Sequence, residues 1–474
     1  MMKEKLYEII DRIQLELTAF SDAIWEYAEL SMQEHRSAKS YCRILRDYGF
    51  TVEEDLCGIQ TAFLGRYGSG RPVIGILGEF DALAGLSQKS DSLCRETDTP
   101  GGNGHGCGHN LLGAASLGAA IAVKELIQQG DFTGTVVFYG CPGEEGCAGK
   151  VFMARDGMFR DLDAALCWHP SDVNEVTTGS NAASMQVSFT FTGRASHAAN
   201  APEHGRSALD AAELMNIGVQ YLREHMPKNG AVHYAYLDAG GISPNVVQPV
   251  SKLLYMVRGE TVAEARNLLK RVEKIAQGAA LMTETTVSWE QIDGTASTLS
   301  NHILEEKLFE NLKAAPLPTY DQEDWEYAAA IKQTYKSASL PGQRTQVAQD
   351  LRMLVADKTQ MGRRALNDFI LPYGPSDVLN PGSTDVGDVS WLTPTAQFTA
   401  VTWPSGCPAH SWQAVALGKN AIAHKGMLYA AKVLAGTVFD LMTDPEVLEK
   451  ARKEFDIFAS SGYDCPISPD LKPY

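Results

Sequence analysis

The spacing of hydrophobic positions changes several times along the chain, and each spacing predicts a different kind of element. The N-terminal stretch to about Tyr48 carries apolar residues at helical spacing and is predicted to be helical. Strand patterns follow at 60–67, 73–78 and 135–140, and the last two lack polar alternation, as strands buried on both faces of a sheet do. A small-residue apolar stretch at 111–128 predicts a long buried helix. Helices alternating with buried strands predict an α/β layered domain.

Near Ser184 the pattern changes to alternating apolar and polar residues (SMQVSFTFTG), which is typical of a strand with one exposed face. The elements predicted after it are a helix at 207–224, strands at 231–237 and 252–257, a helix at 262–277 and a strand at 286–291. This strand-helix-strand-strand-helix-strand order is ferredoxin-like, and its length suits a small inserted domain. We therefore predict an α/β domain formed by 1–183 and 297–474, with an inserted α+β domain at 184–296.

The segment 313–375 has few strand signals. It carries an acidic patch and a basic pair, which are Asp321, Glu323, Asp324 and Glu326, and Arg363 and Arg364. We interpret it as helical loops that cap a cleft of the larger domain.

The composition of the chain favours some kinds of binding partner over others. The chain of 474 residues has a formal net charge of −17, which disfavours binding to nucleic acid or to anionic membrane surfaces and favours a small-molecule or peptide partner. The start of the chain lacks the apolar core and cleavage site of a secretory signal, and no run of 18 or more apolar residues occurs. Nine scattered cysteines in a long chain fit a reducing cytoplasm better than a disulfide framework.

Cys107 and His109 stand one glycine apart in the glycine-rich stretch GHGCGHN, just before the predicted long helix. A thiolate and an imidazole are both good ligands for zinc-like divalent ions. Taken alone, the pair is more often a buried structural thiol beside a helix-capping histidine. A Cys–His nucleophilic pair is a third interpretation, although residues so close in sequence seldom reach the required geometry.

Other candidate ligands follow predicted core strands. Glu144 and Glu145 lie in a glycine-rich turn after the strand at 135–140, and adjacent carboxylates can divide the roles of metal ligand and free base. His169 ends an apolar run before Pro170, and His410 lies in a Gly/Pro loop after the apolar stretch Phe398–Thr402. Each taken alone has an ordinary alternative, a solvated acidic pair or a hydrogen-bonded core histidine. Together they predict a metal site assembled at the ends of core strands.

Six motifs occur in the order seen in the M20 metallopeptidases, and the chain resembles the amidohydrolase branch of that family, in which Cys-x-His replaces the more common acidic ligand arrangement. The motifs are GEFDALAGL (Gly78–Leu86), GHGCGHN (Gly104–Asn110), PGEEG (Pro142–Gly146), WHP (Trp168–Pro170), GRASHAA (Gly193–Ala199) and AHSWQ (Ala409–Gln413). The stretches GSTDVGDVSW (Gly382–Trp391) and AHKGM (Ala423–Met427) resemble the aminobenzoyl-glutamate utilisation group within that branch. The resemblance covers nearly the whole chain. It implies a mixed central sheet in the larger domain and a dimerisation or lid role for the inserted domain.

The resemblance also implies roles for the candidate residues. The ligands of a two-metal centre, with zinc or manganese, would be Cys107, His109, Glu145, His169 and His410. Glu144 would be the general base, and Asp81 would hold the ligands in place without binding the metal itself. Glu79 stands where many M20 relatives have a histidine ligand, so its role is open.

Three residues of the inserted domain complete the expected site. His197 in GRASHAA would donate to the oxyanion, commonly in the neighbouring subunit's site, and Asn245 matches another family position near the cleft. Arg258 can bind a substrate carboxylate through two parallel hydrogen bonds. The ordinary alternatives are a surface histidine after a strand and a surface ion-pair arginine.

These observations predict a cytoplasmic dinuclear metal amidohydrolase that cleaves an N-acyl amino acid, with p-aminobenzoyl-glutamate or a similar aroyl amino acid as substrate. The alternatives are a dipeptidase for unusual small dipeptides and a catalytically silent binding or assembly subunit of the same fold. The expected assembly is a homodimer, with a second type of subunit left open, and neither nucleic acid nor membrane is expected as a partner.

Overall fold

The computed structural model of the protein describes residues 2–336 and 363–473 together with 354, 358 and 359. Within these ranges the strands are β1 (Thr51–Glu54), β2 (Phe63–Ser69), β3 (Val73–Glu79), β4 (Gly134–Cys141), β5 (Ala164–Ser171), β6 (Glu175–Thr177), β7 (Ser180–Asn181), β8 (Ala183–Thr192), β9 (Ala231–Asp238), β10 (Val250–Gly259), β11 (Thr286–Thr295), β12 (Leu379–Asn380) and β13 (Thr395–Val401). The α-helices are α1 (Met2–Arg12), α2 (Gln14–Tyr27), α3 (His35–Asp47), α4 (His109–Gln129), α5 (Gly149–Arg155), α6 (Ala208–Leu222), α7 (Val262–Thr283), α8 (His302–Ala314), α9 (Gln322–Lys332), α10 (Val386–Ser390), α11 (Trp412–Leu417), α12 (Ala421–Thr443) and α13 (Pro445–Phe458).

A seven-stranded mixed sheet with the order β1-β2-β4-β3-β5-β13-β6 forms the centre of the larger domain. Its four central strands, β4, β3, β5 and β13, run parallel, and the outer strands are antiparallel to their neighbours. Ile74 and Ile76 pack in the cluster with α1, α4 and α12, whereas Val73 and Leu77 pack in the cluster with α5 and α10. Burial on both faces accounts for the missing polar alternation and confirms the predicted α/β domain with a mixed sheet.

Helix α4 crosses one face of this sheet with most of its residues buried. Among the described helices, it is the one long and apolar enough to span a membrane by length and composition, and 89% of the relevant window is buried inside the protein. A core helix that packs against a sheet on one side and against α12 and α2 on the other meets the same criteria.

The carboxyl ends of the four parallel strands meet at one edge of the sheet. They are Glu79 in β3, Cys141 in β4, Ser171 in β5 and Val401 in β13. Open α/β sheets build their sites at this edge, because the loops that follow the strands converge there. The turns that follow β3, β4, β5 and β13 carry most of the candidate site residues.

The strands β11-β8-β10-β9 form a separate antiparallel sheet, and α6 and α7 pack on it around their own hydrophobic core. This strand order with two helices is that of a ferredoxin-like unit, as the sequence predicts. β8 begins at Ala183 and β11 ends at Thr295. The proposed limits of the domains, 1–183 with 297–474 and 184–296, stay a prediction, as does a dimerisation role for the inserted unit.

The acidic patch at 321–326 forms the start of helix α9. Asp321 caps this helix, and the side chains of Asp321 and Asp324 accept hydrogen bonds from each other's backbone N–H. Carboxylates at a helix N-terminus interact favourably with the helix dipole, and Lys425 pairs with both. Of the predicted cap, residues 337–353, 355–357 and 360–362 lie outside the described residues.

Candidate metal centre

The loop before α4 delivers Cys107 and His109 to the carboxyl edge of the sheet. Gly108 between them has φ +79°, and a Cβ there would lie 2.9 Å from side-chain carbons of Pro170 at the end of β5. Only glycine accepts this conformation and this approach without strain. The glycine therefore brings the thiol and the imidazole against the strand that carries His169.

Two groups of three candidate ligands share the thiol of Cys107. Cys107, His109 and His169 form one group, and Cys107, Glu145 and His410 form the other, with ligand atoms within 4.8 Å of one another in each group. Cys107 Sγ lies 3.3 Å from His169 Nε2, and His410 Nε2 lies 3.5 Å from Glu145 Oε2. All five residues that the resemblance implied as ligands thus converge, and one sulfur lies between the two groups.

Asp81 holds three parts of this site together. Its carboxylate forms a hydrogen bond with His109 Nδ1 at 2.9 Å and accepts hydrogen bonds from Glu145 N at 2.9 Å and from Ser31 Oγ at 2.8 Å. On the other side of the site, His169 Nδ1 lies 2.7 Å from Pro170 O. Ligand histidines commonly bond a carboxylate or carbonyl through the nitrogen that faces away from the metal, because that bond orients the ring.

Burial and hydrogen bonding together shift the pKa values of these groups. Burial raises the pKa of Cys107 to about 12, an effect that His109 partly offsets. Burial lowers the pKa of His169 to about 4, with His109 adding to the effect, so its ring is neutral near pH 7. Burial opposes ionisation of Asp81, yet its hydrogen bond to His109 lowers the pKa of Asp81 to about 2. A thiolate at Cys107 therefore needs a cation beside it.

Glu144 lies next to these groups on the turn after β4. Its Oε2 is 4.0 Å from His109 Nε2, and burial together with the nearby Glu79 carboxylate raises its pKa well above the ordinary value. The buried Glu34 carboxylate accepts from Gly143 N at 2.9 Å and fixes the turn that carries Glu144 and Glu145. Glu144 therefore lies at the site without belonging to either of the two groups that share Cys107.

The donor set fits divalent metal ions. Sulfur, imidazole nitrogen and carboxylate oxygen are the ligand types that zinc takes in proteins. In the described part of the chain, the buried atoms His109 Nε2 and Glu145 Oε1 have no hydrogen-bond partner. Buried polar atoms without partners are costly, and a bound cation would satisfy both.

A family model described as peptidase family M20/M25/M40 matches residues 76–377. The chain belongs to this family. Membership in the M20 family confirms the predicted class of enzyme, a metal-dependent hydrolase of amide C–N bonds, and five of the six motifs lie within the matched residues.

Similar proteins include a subunit of the p-aminobenzoyl-glutamate hydrolase of Escherichia coli (strain K12), at 41% identity over 99% of this chain and 99% of that protein. Xaa-Arg dipeptidase of Mus musculus is 27% identical over 96% of this chain and 92% of its own length. A solved Bacillus subtilis structure, described as a dinuclear metal binding peptidase from the M20 family, matches with a TM-score of 0.56 at 16% identity and covers 91% of this chain and 99% of that one. That last similarity is one of fold.

The site residues expected from the inserted domain lie outside the converging groups. His197 and Asn245 are both exposed, and their loops pair with each other, since Ala198 N donates to Asn245 O at 3.0 Å. Arg258 in β10 is half-buried and donates to Ser383 Oγ at 2.7 Å. The main contact of Arg258 is therefore a hydrogen bond to the segment after β12, and not a surface ion pair.

Two residues of this M20 site were missed by sequence reasoning, Lys150 and Asp385. Lys150 is fully buried, with its Nζ 2.7 Å from Glu79 Oε1 and 2.5 Å from Asp385 Oδ1. Burial opposes its charge, yet Asp385 and Glu79 raise the pKa of Lys150 well above the ordinary value. The available signal was a lone lysine in the apolar stretch CAGKVFMA.

Proposed function

We propose that the chain is a dinuclear metal-dependent amidohydrolase that cleaves an N-acyl amino acid, with p-aminobenzoyl-glutamate or a similar aroyl amino acid as substrate. The sharing of Cys107 by the two ligand groups is the observation that carries this proposal. Two groups with one common sulfur suit a pair of ions about 3.5–4 Å apart, the separation of two-metal hydrolases. The proposed ligands are Cys107, His109, His169, Glu145 and His410.

Glu144 is the proposed general base. When bound, two divalent ions lower the pKa of water and polarise an amide carbonyl. Glu144 accepts the proton of the attacking water and transfers it to the leaving amine, which departs poorly without it. Glu145, its neighbour, is held by the Asp81 bond to its backbone and points to the group with His410.

His197 is the proposed donor to the oxyanion. Its Nδ1 accepts hydrogen bonds from the backbone N–H of Ala199 at 3.2 Å and of Asn200 at 3.1 Å. Because Nδ1 is the acceptor, this hydrogen-bond pattern assigns the proton of a neutral ring to Nε2. This Nε2–H is the donor that a developing negative charge requires.

Support for the substrate class comes from the relative named for p-aminobenzoyl-glutamate hydrolysis, at 41% identity over nearly the whole chain. Arg258 supplies a half-buried guanidinium for a substrate carboxylate, and Asn245 lies beside His197 on the paired loops. The dipeptidase alternative has a weaker basis, a relative at 27% identity. Because the Escherichia coli relative is one subunit of its enzyme, the proposal also allows this protein to assemble with a second type of chain.

A homodimer would cover an exposed edge of the inserted domain. β9 ends its sheet, and apolar side chains on this strand are exposed, including Leu237 at 54% and Tyr236 at 40%. Unpaired sheet edges promote association, and two-fold pairing is its commonest closed form. In such a dimer we propose that His197 acts in the partner's site, and we place the enzyme in the cytoplasm with zinc or manganese as its metal.

A panel of amides tests the proposal. The protein is freed of metal with a chelator, loaded with zinc or manganese, and assayed with p-aminobenzoyl-glutamate, benzoyl-glycine and an Xaa-Arg dipeptide. We expect turnover of the aroyl amino acids, no turnover after chelation, and recovery with at least one metal, because the ions activate water and carbonyl. The silent-subunit alternative predicts no turnover under any condition. Preferential cleavage of the dipeptide would instead support the dipeptidase alternative.

A further inference from the structure

Lys150, Glu79 and Asp385 form a buried ionic cluster beside the candidate metal centre, and the partly buried Glu144 carboxylate adjoins it. Lys150 Nζ is placed between Glu79 Oε1 and Asp385 Oδ1, and Lys150 N also donates to Asp385 Oδ2 at 3.0 Å. Glu144 is the third carboxylate, next to Glu79. Buried ion pairs contribute little net stability, because desolvation offsets their attraction, so stability alone does not explain this arrangement.

Glu79 also belongs to a third converging group. Glu79, His109 and Glu144 present ligand atoms within 4.8 Å of one another, and Glu79 Oε2 lies 3.3 Å from His109 Nε2. A further metal ion bound at this group would occupy the Glu79 carboxylate, because the single lone pair of His109 Nε2 serves only one ion. It would also consume Glu144, the carboxylate that hydrolysis needs as a free base.

The backbone of Glu79 has little freedom to move out of this group. Helix α4 crosses β3 so closely that a Cβ on Gly113 would lie 2.7 Å from Glu79 O. The Glu79 side chain therefore starts from a fixed backbone position beside His109 and Glu144, and the charge that balances its carboxylate decides what the group binds.

We propose that Lys150 is a positioning residue that acts as a fixed countercation for Glu79, so that the Glu79–His109–Glu144 group does not take up a metal ion and Glu144 stays free. Asp385 holds the ammonium in place from the opposite side. The inference rests on the proposed dinuclear centre, and it assigns Glu79 to a place outside the ligand set. A methionine at position 150 fills a similar volume without charge and would leave Glu79 and Glu144 as an unbalanced pair of anions, which a divalent cation binds.

The test is the number of zinc ions bound at saturation by the purified full chain, measured by elemental analysis after removal of loosely bound metal. We expect roughly two ions per chain for the wild type and one more for Lys150→Met. The extra ion should disappear in the double variant Glu79→Gln/Lys150→Met, because its carboxylate ligand is gone. Lys124→Met is the matched control, since Lys124 is also buried but pairs with Gln128 on α4, and it should bind as many ions as the wild type.

Folding is checked by circular dichroism, and Glu79→Gln alone provides a second test if Lys150→Met does not fold. Because Glu79 is not a ligand in this proposal, Glu79→Gln should keep roughly two ions per chain. A folded Lys150→Met protein with the wild-type count, or loss of an ion in Glu79→Gln, would overturn the inference. A wild-type count below two would contradict the dinuclear centre itself, and the inference with it.

Discussion

Glu144→Gln is expected to lower turnover by about 10²–10⁴-fold or more while leaving the metal content unchanged. Glutamine keeps the size and the hydrogen bonding of the side chain but cannot accept a proton. Glu144 lies 4.0 Å from His109 Nε2 and outside the two groups that share Cys107, so its charge is not needed to hold either ion. Turnover of an aroyl amino acid and metal analysis on the same preparation measure both quantities.

Glu145→Gln is the matched variant, because the two glutamates are adjacent on one turn. Glu145 Oε2 lies 3.5 Å from His410 Nε2 in one of the ligand groups, so this variant should lose metal as well as activity. If Glu144→Gln loses its metal and Glu145→Gln keeps it, the roles of the two glutamates are reversed.

Mixing two inactive proteins, Glu144→Ala and His197→Ala, is expected to restore activity once their subunits exchange. If His197 acts across a two-fold interface, each mixed dimer holds one site with both wild-type residues. Random exchange makes about half of the dimers mixed, so about a quarter of wild-type activity should return. The measurement is turnover before and after exchange, with exchange confirmed by mass spectrometry of differently tagged chains.

A mixture of Glu144→Ala with His169→Ala is the control. Both residues belong to the larger domain's own site, so every site of a mixed dimer keeps one defect and stays inactive. Continued inactivity of the first mixture despite confirmed exchange would show that His197 acts within its own subunit, and it would remove the functional reason for a dimer through the inserted domain.

Sequence patterns predicted those strands and helices that are buried on one face or on both faces. The parallel strands at 73–78 and 135–140 and the helix at 111–128 were found because their apolar runs reflect burial in the core. β1 was missed since TVEE is an exposed edge strand with a polar composition. β11 runs past its predicted end at 291 because a bulge between Gln291 and Asp293 shifts its register.

The candidate site was predictable to the extent that its residues follow core strands. Glu144, Glu145 and His410 lie in loops after core strands, and His169 lies near the end of β5. Cys107 precedes α4 and His109 is its first residue, so local pattern and family motifs located all six. The contact of Lys150 with Glu79 and Asp385 joins three distant segments, and spacing within the chain carries no signal for it. His197 lies in a recognisable motif, but its place relative to the ligand groups depends on assembly.

X-ray absorption at the zinc edge of the zinc-loaded protein tests the central claim most directly. A thiolate of Cys107 shared by two ions should give about one sulfur per zinc at about 2.3 Å, together with a zinc neighbour at about 3.5–4 Å. Cys107→Ser should abolish the sulfur contribution. About half a sulfur per zinc would mean that Cys107 binds one ion only. The absence of a sulfur neighbour in the wild type would contradict the proposed centre.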